Sequence, residues 1–227
     1  MTASPGAADG SPACLPPDAA ALVRLSAALA AGDEADVAAE LRRAAEGHDP
    51  RGVEETIVQS CLFLGFPAAL EAAAAWRRIR DGPATVDDDP LAAAELGRER
   101  AERGAALCRA IYGPAYEELR RNVASASPAL DRLMVETGYG RVLGRPGLDR
   151  VRRELCLVAV LAVQGRDPQL HSHLRGALRL GAPAGWVEEA LEIGLQRGSA
   201  TANERFRRLW REVVERRNEV ETEDTSG

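Results

Sequence analysis

The chain is predicted to be all-α, a helical bundle, on three observations. No stretch alternates apolar and polar residues with period two for long enough to make a strand. Apolar residues recur instead at helical spacing, as in Leu22, Leu25 and Leu29, or Trp186, Val187, Leu191 and Leu195. Gly, Pro and Asp stand between these segments as stops and starts.

Residues 1–17 hold Pro, Gly, Ser and Ala without a period and read as a disordered tail. Asp18 can cap a first helix that Gly32 ends, and a second runs from about Glu34, presenting Val37 and Leu41, to Gly47. Asp49 and Pro50 start a third. It carries Val53, Glu55, Ile57, Val58 and Gln59 into CLFLGFP, where Gly65 and Pro67 mark a break before an alanine-rich helix over 67–80. The stretch 81–90, DGPATVDDDP, combines turn formers with three consecutive acids and reads as an exposed linker, the best internal boundary. Beyond it come a long helix to Ile111, a break at Gly113 and Pro114, and a short helix to Val123. Ser127 and Pro128 start the next, which ends near Gly138.

The core helix follows. Glu154 opens an unbroken apolar run, Leu155 to Val163, long enough for a buried helix and too short to cross a membrane. Gly165 stops it, Asp167 and Pro168 supply an N-cap and a first helical residue, and the next helix carries Gln169, His171, His173 and Arg175 to Gly181. Helices joined this tightly lie antiparallel. At about 1.5 Å per residue, Glu154 lies roughly 16 Å below the turn and His173 roughly 12 Å, so the carboxylate and imidazole can meet. Pro183 begins a further helix that Gly198 closes, and a last one, about Ala202 to Arg217, packs Phe206, Leu209, Trp210 and Val213. Residues 218–227 are expected to fray.

Composition narrows the function. A chain of 227 residues, 45% apolar with formal charge −6, is globular. It has no lysine, which excludes Schiff-base chemistry. The acidic balance favours neither nucleic acid nor an anionic membrane surface as partner. Cys14, Cys61, Cys108 and Cys156 form no CxxC or CxxH pair and, with no charged-then-apolar signal at the start, read as reduced thiols in the cytoplasm. His48, in a GHDP turn, reads as solvated; His171 and His173 are too close along one helix to face the same way, so no metal site is expected.

An internal repeat is also expected. Placing Gly32 on Gly165 brings Ala31 opposite Gln164, Leu41 opposite Leu174, Arg42 opposite Arg175 and Ala44 opposite Ala177. Further on, with a small insertion allowed in the later copy, Glu55 and Gln59 fall on Glu192 and Gln196. In the first copy Glu40 occupies the His173 position and no acid matches Glu154, so the segment 18–80 reads as a degenerate repeat and 91–217 as the functional domain.

RPGLD (Arg145 to Asp149), the stretch Arg153 to Gly181, EEALEIGLQ (Glu188 to Gln196) and GYGRV (Gly138 to Val142) together resemble the carboxymuconolactone decarboxylase and alkylhydroperoxidase-like family. That family's redox branch carries a Glu, a Cys-x-x-Cys and a His at spacings that fall here on Glu154, Arg166, Gln169 and His173. Neither cysteine position holds cysteine, which disfavours the alternative of peroxiredoxin-type activity. The decarboxylase branch keeps the His followed by RGAL, as in His173 to Leu178. The resemblance implies a cofactor-free, metal-free carboxy-lyase acting on a small carboxylated lactone or related organic acid, assembled as a homo-oligomeric trimer or hexamer-like ring. His173 would then be the catalytic acid, Glu154 its orienting carboxylate, and Arg166, Gln169 and Arg175 the substrate-binding groups. A non-catalytic oligomeric scaffold is the second alternative.

Overall fold

The computed structural model describes residues 14–47, 49–80, 89–92 and 97–224, and among them every regular element is helical. The helices are α1 (Pro17–Ala31), α2 (Glu34–Ala45), α3 (Pro50–Arg80), α4 (Gly97–Tyr112), α5 (Tyr116–Ala126), α6 (Pro128–Leu133), α7 (Arg150–Gln164), α8 (Asp167–Arg179), α9 (Ala184–Leu195) and α10 (Ala200–Asp224). The fold is therefore all-α, as the patterning predicts. The expected tail over 1–13, most of the linker (81–88) and His48 lie outside the described residues.

Two helices form the centre. α1 is buried along nearly its whole length from Ala19 to Leu29, and α7 from Arg153 to Ala162, because both are largely apolar all round and the charged Arg153 and Glu154 are paired with Glu55 and His173. They pack against each other, and α2, α3, α8, α9 and α10 close around them into one core that includes Leu25, Leu41, Val53, Leu155, Leu174, Leu191 and Phe206. Segment 18–80 and the C-terminal helices thus share this core. A second, smaller core lies on the other side of α7, where Leu157 meets Leu107, Cys108, Ile111, Tyr116, Tyr139 and Leu143.

Both central helices end on a left-handed glycine, Gly32 at φ 77° and Gly165 at φ 68°. Several caps differ from expectation. Asp18 does not cap α1; its carboxylate takes the Arg152 guanidinium at 2.5 Å, and Pro16 stands at the cap position. Asp167 likewise pairs with Arg205 at 2.8 Å instead of capping α8. In both cases a long arginine from a neighbouring helix competes for the carboxylate. Asp33, Ser127 and Asp149 do cap α2, α6 and α7, each accepting a backbone N–H.

The break in α3 is where the glycine and proline place it: Gly65 has φ 81° and ψ 166°. By length and composition α3 could cross a bilayer, but here this break interrupts it, and Val53 and Ile57 before the break and Ala72 and Trp76 after it enter the core. The helix after Ser127 does not end near Gly138; it widens into a π-helical stretch, Met134–Leu143. Glycines explain its position. A Cβ at Gly104 would lie 2.0 Å from the Val135 carbonyl oxygen and one at Gly140 2.2 Å from that of Arg100, so the stretch and α4 touch backbone to backbone. At the linker's end Asp89 is buried, not exposed, since Arg103 grips both its oxygens. At the C-terminus α10 continues past Arg217 to Asp224.

Candidate functional site

Glu154 sits on the face of α7 that also carries Leu157, towards α4 and α8. His173 reaches it from the antiparallel α8: Nδ1 lies 2.8 Å from Glu154 Oε2, with both side chains buried. An ionised carboxylate only accepts, so it fixes the proton on Nδ1 and leaves Nε2 as the ring nitrogen free for chemistry. Gly176, one turn on from His173, has no side chain because Glu154 Oε2 and Ile111 Cγ2 occupy the space a Cβ would need.

Aromatic rings enclose the imidazole. Phe63 of α3 and Tyr112 of α4 each meet it edge-on, with ring centroids at 6.4 and 6.3 Å. Tyr139 of the π-helical stretch donates to the Tyr112 hydroxyl at 3.0 Å. Burial pushes the Tyr112 phenol up to about 12 and Tyr139 well above its ordinary value, so both stay protonated donors. Sequence reasoning passed over Phe63 and Tyr112. Phe63 stands in the CLFLGFP break and Tyr139 in the GYGRV stretch, so two of these three rings lay in segments already marked, but nothing in sequence spacing joins them to His173.

Arg166, Gln169 and His173 share one face of α8, being seven and four residues apart. Arg166 and Gln169 are exposed and His173 is buried, so the face descends from solvent to the imidazole. Arg175 is not brought to that face. Two residues from His173, it points across the helix into a cleft against α10 shared with His171. That cleft, of about 560 Å³, and a smaller one of about 250 Å³ beside Asp18 and Arg152 both leave Glu154 and His173 untouched.

The four cysteines are free, and none faces another across a redox pair. Burial pushes the Cys108 thiol up to about 12 and Cys156 to about 11, and it raises Cys61 as well, which leaves little thiolate for peroxide chemistry. Among the described residues no group of three His, Cys, Asp or Glu side chains converges as a metal would require.

Residues 128–212 match the model of the carboxymuconolactone decarboxylase family. The chain is similar to Peroxisomal protein 2 of Schizosaccharomyces pombe, 28% identical over 145 residues, which is 63% of this chain and 67% of that protein. It is also 31% identical over 98 residues to a nitrosuccinic acid decarboxylase of Metarhizium robertsii, covering 43% of this chain and 68% of the relative. An uncharacterized 15.0 kDa protein of Paracoccus denitrificans is 30% identical over 100 residues, 43% of this chain and 74% of its own length. The Glu154–His173 hairpin lies wholly inside the matched segment, and with these relatives it shows that the chain belongs to the carboxymuconolactone decarboxylase family.

Proposed function

We propose that the protein is a cofactor-free decarboxylase of a small organic acid, a carboxylated lactone or a related acid, with His173 as the proton donor. The observation that carries this reading is the buried 2.8 Å contact between His173 Nδ1 and Glu154 Oε2. In the proposed step the bond between the substrate carbon and its carboxylate breaks, CO₂ leaves, and the electron pair passes into the adjacent carbonyl as an enolate or, for a nitro acid, into the nitro group as a nitronate. His173, protonated on both nitrogens, then gives the Nε2 proton to carbon. Glu154 stabilises the imidazolium through Nδ1. Arg166, at the exposed top of the same helix face, is the guanidinium placed to receive the substrate carboxylate, with Gln169 between it and the imidazole. The decarboxylase named among the relatives supports the reaction class.

In the same reading α1–α3 are a degenerate copy of α7–α9 that walls the site. Glu40, at the His173 position, is tied to Arg197 at 2.9 Å and to Arg43 at 2.7 Å and carries no free chemistry. The chain then acts as a cytoplasmic trimer or hexamer-like ring, for which exposed Phe66, Leu70, Leu130 and Leu133 offer apolar contact surface.

The test is CO₂ release from carboxylated lactones and from nitrosuccinate by wild type, His173→Ala and Glu154→Gln. The expected result is turnover that falls about 10²-fold or more in His173→Ala. Equal rates in wild type and variant remove His173 from the chemistry. One observation favours a second reading, a non-catalytic scaffold: the pair is enclosed by Phe63 and Tyr112, and neither cleft reaches it. A folded, assembled wild type that turns over none of these acids supports that reading.

A further inference from the structure

A cleft lies on the opposite face of α8 from His173, walled by α8 and α10. Its lining is unusual for a chain of net charge −6: Arg175, Arg179 and Arg216 surround it, with half-buried His171 beside them and Leu178 and Val213 as an apolar floor. Arg217 of α10 adds a fourth guanidinium, and the acids that face the group are Glu219 at the rim and Glu212 near His171. Positive groups therefore outnumber negative ones in a concave space. Their mutual repulsion registers at two of them: Arg175 and Arg216 help to lower His171 below its ordinary value, after burial, and Arg175 does the same to Arg179. The Arg179 guanidinium is anchored by donating to the Ile111 carbonyl at 3.1 Å, so part of the charge is held in place. A volume of about 560 Å³ falls within the range of small-molecule sites, and a floor of Leu and Val beneath a guanidinium rim matches a ligand that is charged at one end only.

We propose that this cleft binds a small organic carboxylate with an apolar body, its carboxylate held by Arg175 and Arg216 and its chain laid on Leu178 and Val213. The site is separate from the Glu154–His173 pair, and its occupancy does not depend on the proposed decarboxylation. Octanoate is the probe, titrated calorimetrically into the full chain, with butyrate and inorganic sulfate as comparison arms. Expected are saturable binding of one octanoate per chain, weaker binding of butyrate and sulfate, and affinity about tenfold lower in Arg175→Ala and in Arg216→Ala. Both arginines are exposed, so the variants keep the fold, which circular dichroism checks. His173→Ala, which addresses the proposed catalysis, binds octanoate as wild type does. Three results overturn the proposal: no octanoate binding, sulfate binding as tightly as octanoate, or octanoate affinity unmoved by both arginine variants. A change of assembly mass in Arg216→Glu, with no octanoate bound by wild type, assigns the cleft to a second copy of the chain and likewise overturns it.

Discussion

A methyl group added at Gly176 would come within 2.6 Å of Ile111 Cγ2 and 3.0 Å of Glu154 Oε2. In an open helix Gly→Ala stabilises by about 1 kcal/mol, because glycine has more backbone freedom to lose. Here the sign is expected to reverse, with Gly176→Ala destabilising the protein by about 1–3 kcal/mol as α8 is pushed from α4 and the Glu154 contact is strained. Urea unfolding checks it, and a gain in stability would show that the helices can part without cost. Glu40 makes the complementary point. It is as buried as His173, yet Arg24, Arg43 and Arg197 surround it, so this acid serves an ion cluster instead of holding an imidazole.

At the scale of elements, the break in α3 is connected to the end of α7 by one side chain. The Phe63 carbonyl would accept from residue 67 in a continuous helix, but Gly65 leaves helical geometry and Pro67 has no N–H. Gln164, the last residue of α7, donates to that carbonyl through Nε2 at 2.9 Å. The bond fixes the segment that holds Phe63 against His173. Gln164→Leu is expected to cost about 1 kcal/mol of stability and to speed amide exchange around Phe63 more than around Leu25 in the core. Equal exchange at both places would mean that the bond holds nothing locally. The π-helical stretch belongs to the same scale: its wide turns and glycines let α4 approach closely enough for Tyr112 and Tyr139 to share a hydrogen bond.

For the whole molecule, a buried charge network joins the N-terminal and C-terminal helices. Arg153 is 1% exposed and donates to Glu55 at 2.7 Å, to Gln59 at 3.3 Å and to the Leu148 carbonyl at 3.2 Å. Glu55 also receives Arg145, whose guanidinium lies 3.8 Å from Asp89, and Asp89 holds Arg103. Removing one member leaves the others buried and unmatched, so Glu55→Gln is expected to cost about 3 kcal/mol or more in urea unfolding. Asp89 gives the network a pH dependence. The hydrogen bonds from Arg103 hold its carboxyl below the ordinary 3.8, so its stabilisation is complete above that value and is lost as pH falls through the lower, folded value. Asp89→Asn is therefore expected to lose about 2 kcal/mol at neutral pH and to show a shallower acid decline below pH 3.8 than wild type. Parallel declines in the two proteins would place the acid sensitivity in other carboxylates.

What the sequence determined by itself was whatever depends on near neighbours in the chain. The helical class, the left-handed glycines at 32 and 165, the break at Gly65 and the matching heights of Glu154 and His173 follow from local backbone preferences and the fixed rise of a helix. Ser127 caps its helix where the sequence starts one, whereas Asp18 and Asp167 lose the capping role to distant arginines that no local pattern announces. Tertiary structure decided what depends on partners far along the chain. It brought Phe63 and Tyr112 onto His173, buried Asp89 beside Arg103, turned Arg175 into a cleft with α10, and joined Arg153 to Glu55 across the core. Each of these is an electrostatic or packing choice among several groups of similar chemistry, and helix packing alone settles which of them are within reach.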